Sequence, residues 1–204
     1  NYMAFLGWSP KSADREILSL EEISEIFDLS EINKAGAKFS WEKLNWINSQ
    51  YIKNMESIKL IEIIRKYWDD NGWEPPSQEW ANKLAILIRD SMTLLKDSID
   101  QSKPFFLIPT IQKEGQDFLE NKDSKASLKL ILNYLIEQNT IKLNKEKAKE
   151  IINEISKKHN IKKGILMKSL RVAFFGSLSG PDLIQSWELF AESKTDRTRI
   201  ERCL

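Results

Sequence analysis

Apolar residues recur at intervals of three and four along nearly the whole chain, and that spacing is the period of an α-helix. Ile58, Ile61 and Ile64 form one such stripe, and a second runs from Leu166 to Phe174. Strand signals are nearly absent, because neither sustained alternation nor an Asn-Gly turn between β-branched runs occurs. The sequence therefore predicts an all-α fold of short to medium helices packed in bundle subdomains.

Capping residues predict where these helices begin and end. Ser19 followed by Glu22 forms a capping box, in which a hydroxyl and a carboxylate each satisfy a free backbone N–H. Gly176 is a predicted helix stop, since glycine readily adopts the left-handed conformation that ends helices. The other predicted helix starts are Ser40, Ser77, Ser124, Asn144 and Pro181, the last at the first position of a final helix.

The middle of the chain carries mixed signals. The apolar stripe that follows Ser77 extends to Leu95, which predicts one long helix. Residues 99–112 look irregular, because Pro104 and Pro109 flank a short apolar run. We expect a loop there, with at most a short extended piece and no sheet.

The seven tryptophans are many for 204 residues. Trp68 and Trp73 flank a polar turn, where they are suited either to stacking on a nucleobase or to packing against a neighbouring helix. Packing is the simpler interpretation. Core positions are predicted for Trp8, Trp41, Trp46, Trp80 and Trp187.

The composition argues against several classes of site and partner. The 31 Lys+Arg and 30 Asp+Glu residues leave a net charge of +1, so indiscriminate polyanion binding is not expected and no DNA partner is predicted. One cysteine, Cys203, and one histidine, His159, leave no intrachain disulfide and no Cys-based or His-rich metal site. Since no apolar run approaches the roughly 18 residues of a membrane helix and no leader opens the chain, we expect a cytoplasmic compartment without membrane contact.

Catalytic signatures are missing as well. Glycine loops that cradle phosphates and the G-x-S-x-G elbow do not occur. His159 lies between Lys158 and Asn160 without a partner that could orient it as a base, so we expect it at the surface. The acidic pairs sit at predicted helix starts or in turns. We predict no catalytic residue, metal ligand or cofactor site in this chain.

Positive charge is concentrated late in the chain. From Lys157 to Arg171 every charged residue is basic. Composition alone favours a solvated helix face, whereas an RNA-binding protein would use such a stretch as a cationic patch. We call this the basic stretch, and its charged members are Lys157, Lys158, Lys162, Lys163, Lys168 and Arg171.

Several short strings occur in a fixed order: Y-M-A-F-L-G-W-S-P at residues 2–10, F-D-L-S at 27–30, K-L-N-W-I-N at 43–48, L-R-V-A at 170–173 and G-P-D-L-I-Q-S-W at 180–187. In this order they resemble bacterial-type glutamyl-tRNA synthetases, and cyanobacterial or plastid members most of all. The resemblance implies three parts: the end of a stem-contact region (1–54) and two anticodon-binding subdomains (55–108 and 109–204).

The same resemblance implies where the chemistry lies. In this family ATP and glutamate bind an upstream domain with HIGH-like and KMSKS-like signatures, and neither signature occurs here. Residues 1–6 are apolar without a helix-start signal, so we expect the chain to be part of a longer protein. The implied parent enzyme uses ATP and Mg²⁺, whereas this part would be an inactive, monomeric binder of tRNA-Glu in the cytoplasm, or alternatively the plastid stroma.

By resemblance, Arg171 is an anticodon contact, because it is the arginine of the L-R-x-A string. Gly180 would let the backbone approach the RNA, Asp182 and Leu183 would offer N–H groups at a helix start, and the Leu183 side chain would pack on a base. The basic stretch supplies Lys163 and Lys168 for phosphates. Stem contacts are assigned to Lys34, Lys43 and Lys53, for which a solvated surface role is an equal alternative.

Ser91 leads to a more specific hypothesis, which concerns the tRNA specificity of the parent enzyme. In an ungapped comparison it stands where enzymes restricted to tRNA-Glu have an arginine that reads the third anticodon base and rejects tRNA-Gln. Serine lacks that charge and reach. We therefore expect the parent enzyme to charge tRNA-Gln as well, although a register shift of one turn would transfer the role to Arg89.

Two other functions stay open from the sequence. The first is a stand-alone helical module for protein interaction without RNA binding. The second is an uncharted enzyme that uses carboxylates. Salt-dependent binding of tRNA separates the first from our interpretation, and activity of the isolated chain would be needed for the second.

Overall fold

The computed structural model describes residues 1–10, 15–33, 36–138 and 142–204. These residues contain α-helices, one 3₁₀ turn at Leu29–Glu31 and no β-strand, so the all-α prediction is confirmed. The helices are α1 Tyr2–Gly7, α2 Leu20–Ile26, α3 Trp41–Lys53, α4 Ser57–Asp70, α5 Gln78–Arg89, α6 Asp97–Phe106, α7 Lys113–Leu119, α8 Lys122–Glu137, α9 Lys145–His159, α10 Lys163–Phe175, α11 Leu183–Glu192 and α12 Asp196–Glu201.

The first three helices form a small N-terminal unit with its own core. Trp8, Leu18 and Ile23 are buried together there. Two long-range hydrogen bonds hold the unit: the Ser40 amide donates to the Tyr2 hydroxyl (2.7 Å), and the Tyr51 hydroxyl donates to the Leu18 carbonyl (2.6 Å).

A second and much larger core begins at Ile52 near the end of α3, continues through α4 to α12 and ends at Cys203. Aromatic rings fill its centre, where Phe105 stacks on Phe190 with 4.9 Å between ring centroids. Burying such rings removes a large apolar area from water, which is the dominant favourable contribution to folding. The predicted boundaries after residues 54 and 108 fall in the α3–α4 and α6–α7 linkers.

Most predicted caps are present. The Glu22 amide donates to Ser19 Oγ (3.1 Å) and the Ser19 amide to Glu22 Oε2 (2.7 Å), which completes the capping box. Side chains also cap α3, α5 and α9 at Ser40, Ser77 and Asn144. These caps form because each needs only a polar side chain within three residues of an unpaired amide.

Two predicted helix starts are wrong. Asn121 caps α8, while Ser124 lies inside that helix and is fully buried. Pro181 precedes α11 rather than opening it, because Asp182 takes the cap position and accepts the Gln185 amide at 2.8 Å. That helix is not the last one either, since α12 follows.

The stripe after Ser77 is divided between two helices, so the prediction of one helix to Leu95 is wrong. A turn closes α5, in which the Ser91 amide donates to the Ile88 carbonyl at 3.1 Å. The Asp97 carboxylate then accepts the amides of Thr93 (2.9 Å) and Leu94 (2.7 Å), and α6 begins at Asp97. One local side-chain acceptor, the Asp97 carboxylate, thus competes successfully with helix continuation.

The predicted irregular segment, residues 99–112, is only partly irregular: residues 99–106 belong to α6, which corrects the prediction there, whereas residues 107–112 form the expected irregular linker. Pro104 lies inside α6 and removes one backbone donor. Tertiary packing compensates for this, because Phe106 stacks on Trp73 with ring centroids 5.2 Å apart and Phe105 is buried. A long-range apolar contact therefore overrides a local helix breaker.

Five tryptophans lie where the sequence predicts and two do not. Trp68 is fully buried and its indole N–H donates to Ser102 Oγ at 2.8 Å, and Trp73 packs on Phe106, so both have packing partners rather than free faces. Trp41 and Trp46 are surface residues, with 69% and 44% of their area exposed. Both lie on parts of the α3 surface that face solvent, whereas Ile47 and Ile52 are the buried residues of this helix.

No helix among the described residues is both long and apolar enough to cross a bilayer. The same residues contain no group of three or more His, Cys, Asp or Glu side chains that could hold a metal ion. His159 is exposed at the end of α9, as expected for a surface histidine.

Candidate nucleic-acid interface

The segment between α10 and α11, residues 176–182, is the centre of the candidate site, and we call it the α10–α11 loop. It begins at Gly176, which ends α10 in the left-handed conformation with a φ of 71°. A Cβ there would lie 2.2 Å from the Thr110 carbonyl oxygen, so only glycine fits. The Gln112 amide donates to the Gly176 carbonyl (2.8 Å), which anchors the loop on the α6–α7 linker.

The loop then turns outwards at Ser179 and Gly180, which are both exposed. Ser177 stabilises the turn, since its hydroxyl donates to the Ser179 carbonyl (2.9 Å) and accepts the Ser179 amide (3.2 Å). Gly180 has a φ of 152°, and a Cβ on it would approach the Phe175 ring to 2.8 Å. The absence of a side chain therefore lets the Gly180 backbone pack closely on this ring.

The Arg171 side chain holds the α10–α11 loop through two hydrogen bonds. Its Nη1 group donates to the carbonyls of Gly180 (2.8 Å) and Pro181 (3.0 Å). In this conformation the Arg171 side chain therefore stabilises the loop by binding the backbone carbonyls of the loop. The side chain is half-buried, and among the described residues no hydrogen-bond partner is found for its Nε and Nη2 groups. Those donors remain for a ligand.

The start of α11 completes the loop. Asp182 is exposed, but one carboxylate oxygen already accepts the Gln185 amide as the helix cap. Leu183 is only 2% exposed and belongs to the large core. The expectation that its side chain packs on a base therefore needs correction, because the α11 face that carries it is turned inwards; only its backbone lies at the helix start.

α5 and α11 pack against each other and run antiparallel. Near the start of α5, the Trp80 indole N–H donates to the Leu189 carbonyl near the end of α11 (2.8 Å). Further along, Leu87 and Gln185 line one shallow groove. The end of α5 and the start of α11 therefore lie at the same end of the pair.

This arrangement places the third-base candidates on the side of the α10–α11 loop. Ser91 is exposed in the turn after α5, and its hydroxyl donates to the Ile88 carbonyl at 2.7 Å. Arg89 is the last residue of α5, and its Nε lies 3.6 Å from the Asp90 carboxylate. Of the two, Ser91 is the more accessible, since the Arg89 side chain is 26% exposed.

The basic stretch covers the end of α9 and one face of α10. Its five lysines are all exposed. Lys168 and Arg171 are three residues apart in α10 and are neighbours on the helix surface. Lys163 lies at the start of α10, eight residues before Arg171, which corresponds to about 12 Å of helix. The basic side chains are therefore distributed along α10 up to Arg171, which binds the α10–α11 loop.

Two of the lysines predicted to contact an RNA stem, Lys43 and Lys53, lie on α3 of the N-terminal unit. Lys43 on α3 is paired with Glu16 at 2.7 Å, so part of its charge is already neutralised. Lys53 is exposed at the end of α3. Lys34 lies outside the described residues. None of these belongs to the elements that form the α10–α11 loop.

Asn48 is a residue that the sequence reasoning missed. Its side-chain amide on α3 donates to the Thr93 carbonyl (2.6 Å), in the turn that carries Ser91. The bond ties the N-terminal unit to the candidate site. A signal existed, because Asn48 ends the K-L-N-W-I-N string, but an asparagine in a helix does not by itself point to a distant partner.

Comparison with known proteins identifies the family. A family model described as "Anticodon binding domain" matches residues 59–204. Curated proteins called "Glutamate--tRNA ligase" align with all of this chain: one from Prochlorococcus marinus strain AS9601 is 95% identical, and one from strain NATL2A is 46% identical. In each case the chain covers 43% of the ligase, so it spans less than half the length of these relatives.

Solved structures agree with this result. A glutamate tRNA ligase from Elizabethkingia meningosepticum, in complex with its amino acid, matches with a TM-score of 0.89 and 28% identity over 98% of this chain and 39% of that one. The glutamate-tRNA synthetase of Elizabethkingia anophelis matches with a TM-score of 0.85 and 30% identity, over 98% and 38%. The chain therefore belongs to the anticodon-binding domain family and is similar to the corresponding part of glutamate–tRNA ligases.

Proposed function

We propose that this chain binds the anticodon arm of tRNA-Glu for a glutamate–tRNA ligase. The parent enzyme would attach glutamate to the tRNA with ATP and Mg²⁺ bound outside this chain, acting as a monomer in the cytoplasm or plastid stroma. The observation that carries the proposal is that the α10–α11 loop and the turn after α5 lie at the same end of the α5–α11 pair, where Arg171 of the basic stretch is bonded to that loop.

Recognition of an RNA loop requires contacts to unstacked bases and neutralisation of phosphates, and the arrangement offers groups for both. Anticodon bases are single-stranded, so they can be splayed out and contacted at their edges. The exposed backbone at Ser179 and Gly180, together with the unpaired donors of Arg171, is suited to such contacts. The exposed lysines of the basic stretch are suited to neutralising the adjoining phosphates, which supplies most of the affinity at low salt.

Arg171→Ala tests the proposal directly. The change removes the unpaired donors and also the two bonds that hold the loop, so we expect it to weaken binding of an unmodified tRNA-Glu transcript by about 1–3 kcal/mol. The measurement is a titration of the 204-residue chain with labelled transcript at several salt concentrations. Arg65→Ala is a matched control, because Arg65 lies on α4 and donates to Gln78.

Two results would count against the proposal. Equal affinities for the Arg171→Ala and unchanged proteins would remove Arg171 from the site. If the unchanged protein showed no salt-dependent binding of the transcript at all, the protein-interaction module would become the better interpretation.

We also propose that the parent enzyme accepts tRNA-Gln. Ser91 is exposed at the candidate site and has a short, uncharged side chain that cannot reject a base by charge or size. We expect the parent enzyme to charge both tRNA-Glu and tRNA-Gln transcripts with glutamate, and Ser91→Arg to reduce charging of tRNA-Gln selectively. Initial charging rates measure this. Absence of glutamylation of tRNA-Gln by the unchanged enzyme would refute the hypothesis.

A further inference from the structure

One ion cluster links α5 to α11 at the end away from the candidate site. Lys83 on α5 lies 2.6 Å from Glu192 and 3.3 Å from Glu188, both on α11. Glu79, one turn earlier on α5, adds a third carboxylate at 3.2 Å. We call this group the lysine clamp. It joins the two predicted anticodon-binding subdomains through a single ammonium group.

The clamp is better protected than an ordinary surface ion pair. The side chains of Glu188 and Glu192 are 15% and 22% exposed, and that of Lys83 is 34% exposed. Glu188 and Glu192 are four residues apart on one helix face, where two like charges repel each other. The Lys83 ammonium group attracts both carboxylates and so offsets their mutual repulsion. The packing of α5 on α11 at this point therefore depends on Lys83.

Lys83 keeps its positive charge at neutral pH. Hydrogen bonds to Glu192, Glu79 and Glu188 raise the pKa of Lys83 above its ordinary value of 10.5, against the opposing effect of burial. Lys83 therefore stays protonated at neutral pH. The clamp is a permanent link rather than a switch.

A second contact between α5 and α11 lies one turn from the lysine clamp. The indole N–H of Trp80, one turn before Lys83, donates to the Leu189 carbonyl at 2.8 Å, and Trp80 is 1% exposed. A buried hydrogen bond and a three-carboxylate cluster on adjacent turns together oppose both sliding and rotation of α5 on α11. The register of the two helices is set at this end.

Because α5 and α11 are rigid helices, their register at the lysine clamp also fixes how their other ends lie at the candidate site. Lys83 is six residues from Arg89 on α5, and Glu188 is five residues from Leu183 on α11, which correspond to about 9 Å and about 8 Å of helix. The turn with Ser91 follows α5, and the α10–α11 loop leads into α11. The relative position of these two segments therefore depends on how α5 lies against α11.

We propose that Lys83 is a positioning residue for anticodon recognition: it holds α5 and α11 in the register that spaces the Ser91 turn and the α10–α11 loop for one RNA loop. The inference rests on the proposed function. It assigns Lys83 no contact with RNA, because its ammonium group is occupied by three carboxylates of the chain.

The test compares two transcripts and three variants of the full chain. The transcripts are tRNA-Glu and the same RNA with the middle anticodon base replaced. The variants are Lys83→Met, Lys83→Arg and the control Lys147→Met, which also removes one positive charge and one ion pair (Lys147 with Glu150, 3.0 Å) but within the single helix α9. Affinities are measured at several salt concentrations, and folding is checked by thermal unfolding.

We expect Lys83→Met to reduce the preference for the tRNA-Glu transcript about tenfold, the size of one good base contact, without changing the salt dependence of binding. Lys83→Arg keeps the charge and should retain most of the preference, and Lys147→Met should leave it unchanged. If Lys83→Met fails to fold, Glu192→Gln replaces it, because that change removes the shortest contact and leaves Lys83 beside Glu188.

The inference is overturned if folded Lys83→Met, or Glu192→Gln in its place, prefers tRNA-Glu as strongly as the unchanged protein. It is also overturned if the loss in Lys83→Met comes with a lower salt dependence, since Lys83 would then contact a phosphate directly. If the unchanged protein does not distinguish the two transcripts, the proposed function itself fails. The readouts therefore separate the two failures.

Discussion

Three glycines near α10 differ in what they do for the candidate site. Gly164 lies in the first turn of α10 with no atom within 4 Å of an added Cβ. Gly176 and Gly180 have φ values of 71° and 152°, and a Cβ at either would meet neighbouring atoms. Only the last two are required by the backbone, because other residues rarely adopt such conformations.

Gly180→Ala tests that requirement. The new methyl group would meet the Phe175 ring at 2.8 Å in a strained backbone conformation, so we expect a loss of about 1–3 kcal/mol in the free energy of unfolding and weaker transcript binding. Urea denaturation measures the first effect. The control Gly164→Ala should leave stability unchanged or raise it by up to about 1 kcal/mol. Equal stabilities for the two variants would contradict the prediction.

α12 begins with a buried carboxyl group, Asp196, whose ionisation opposes folding. Asp196 is its first residue and is 7% exposed. Burial raises the pKa of the Asp196 carboxyl above its ordinary value of 3.8, and the backbone amide of Arg197 offsets part of this effect. Folding therefore favours the protonated form. That contribution to stability is present below about pH 3.8 and is lost as the pH rises through the folded-state pKa.

Asp196→Asn should reveal this linkage, because asparagine does not titrate. Relative to the unchanged protein, the variant should gain stability as the pH rises from about 3.5 to about 7, where the unchanged carboxyl becomes charged. Urea denaturation at four pH values measures the difference. Glu201→Gln, an exposed position on the same helix, controls for the loss of one negative charge. A difference that does not vary with pH would show that burial of Asp196 is not linked to folding.

At the scale of the whole molecule, the described residues form two cores of very different size. The N-terminal unit buries Trp8, Leu18 and Ile23, whereas the large core runs from Ile52 to Cys203. A chain of roughly 60 residues buries only about 60% of the surface that it exposes when unfolded, so a core of a few side chains leaves a unit of this size marginally stable by itself. Asn48 connects the two parts through the Thr93 carbonyl, so the small unit is positioned by the large one.

A chain that starts at residue 55 should therefore remain folded. It keeps α4 to α12 and nearly all of the large core, and we expect a single cooperative transition in thermal unfolding with a modest loss of stability from the missing Ile52. Residues 1–54 alone should show no cooperative transition. A broad, non-cooperative transition of the longer piece would mean that the N-terminal unit is part of one folding unit.

The sequence by itself determined the helical class, the caps at Ser19, Ser40, Ser77 and Asn144 and the stop at Gly176, because each of these depends on groups within a few residues. It also provided, through the family strings, the residues around the α10–α11 loop, although their roles in binding remain predictions. It did not reveal which face of α3 is exposed, or that Phe105 and Phe106 would keep a helix intact across Pro104.

Only the tertiary structure decided how the parts of the site come together. Lys83 and Glu192 are 109 residues apart in the chain, and Asn48 and Thr93 are 45 apart. Contacts of this kind leave no local pattern, since each side chain alone looks like an ordinary surface lysine, glutamate or asparagine. They form because apolar faces of distant helices must be buried against each other, and that packing brings polar groups together that no spacing in the sequence relates.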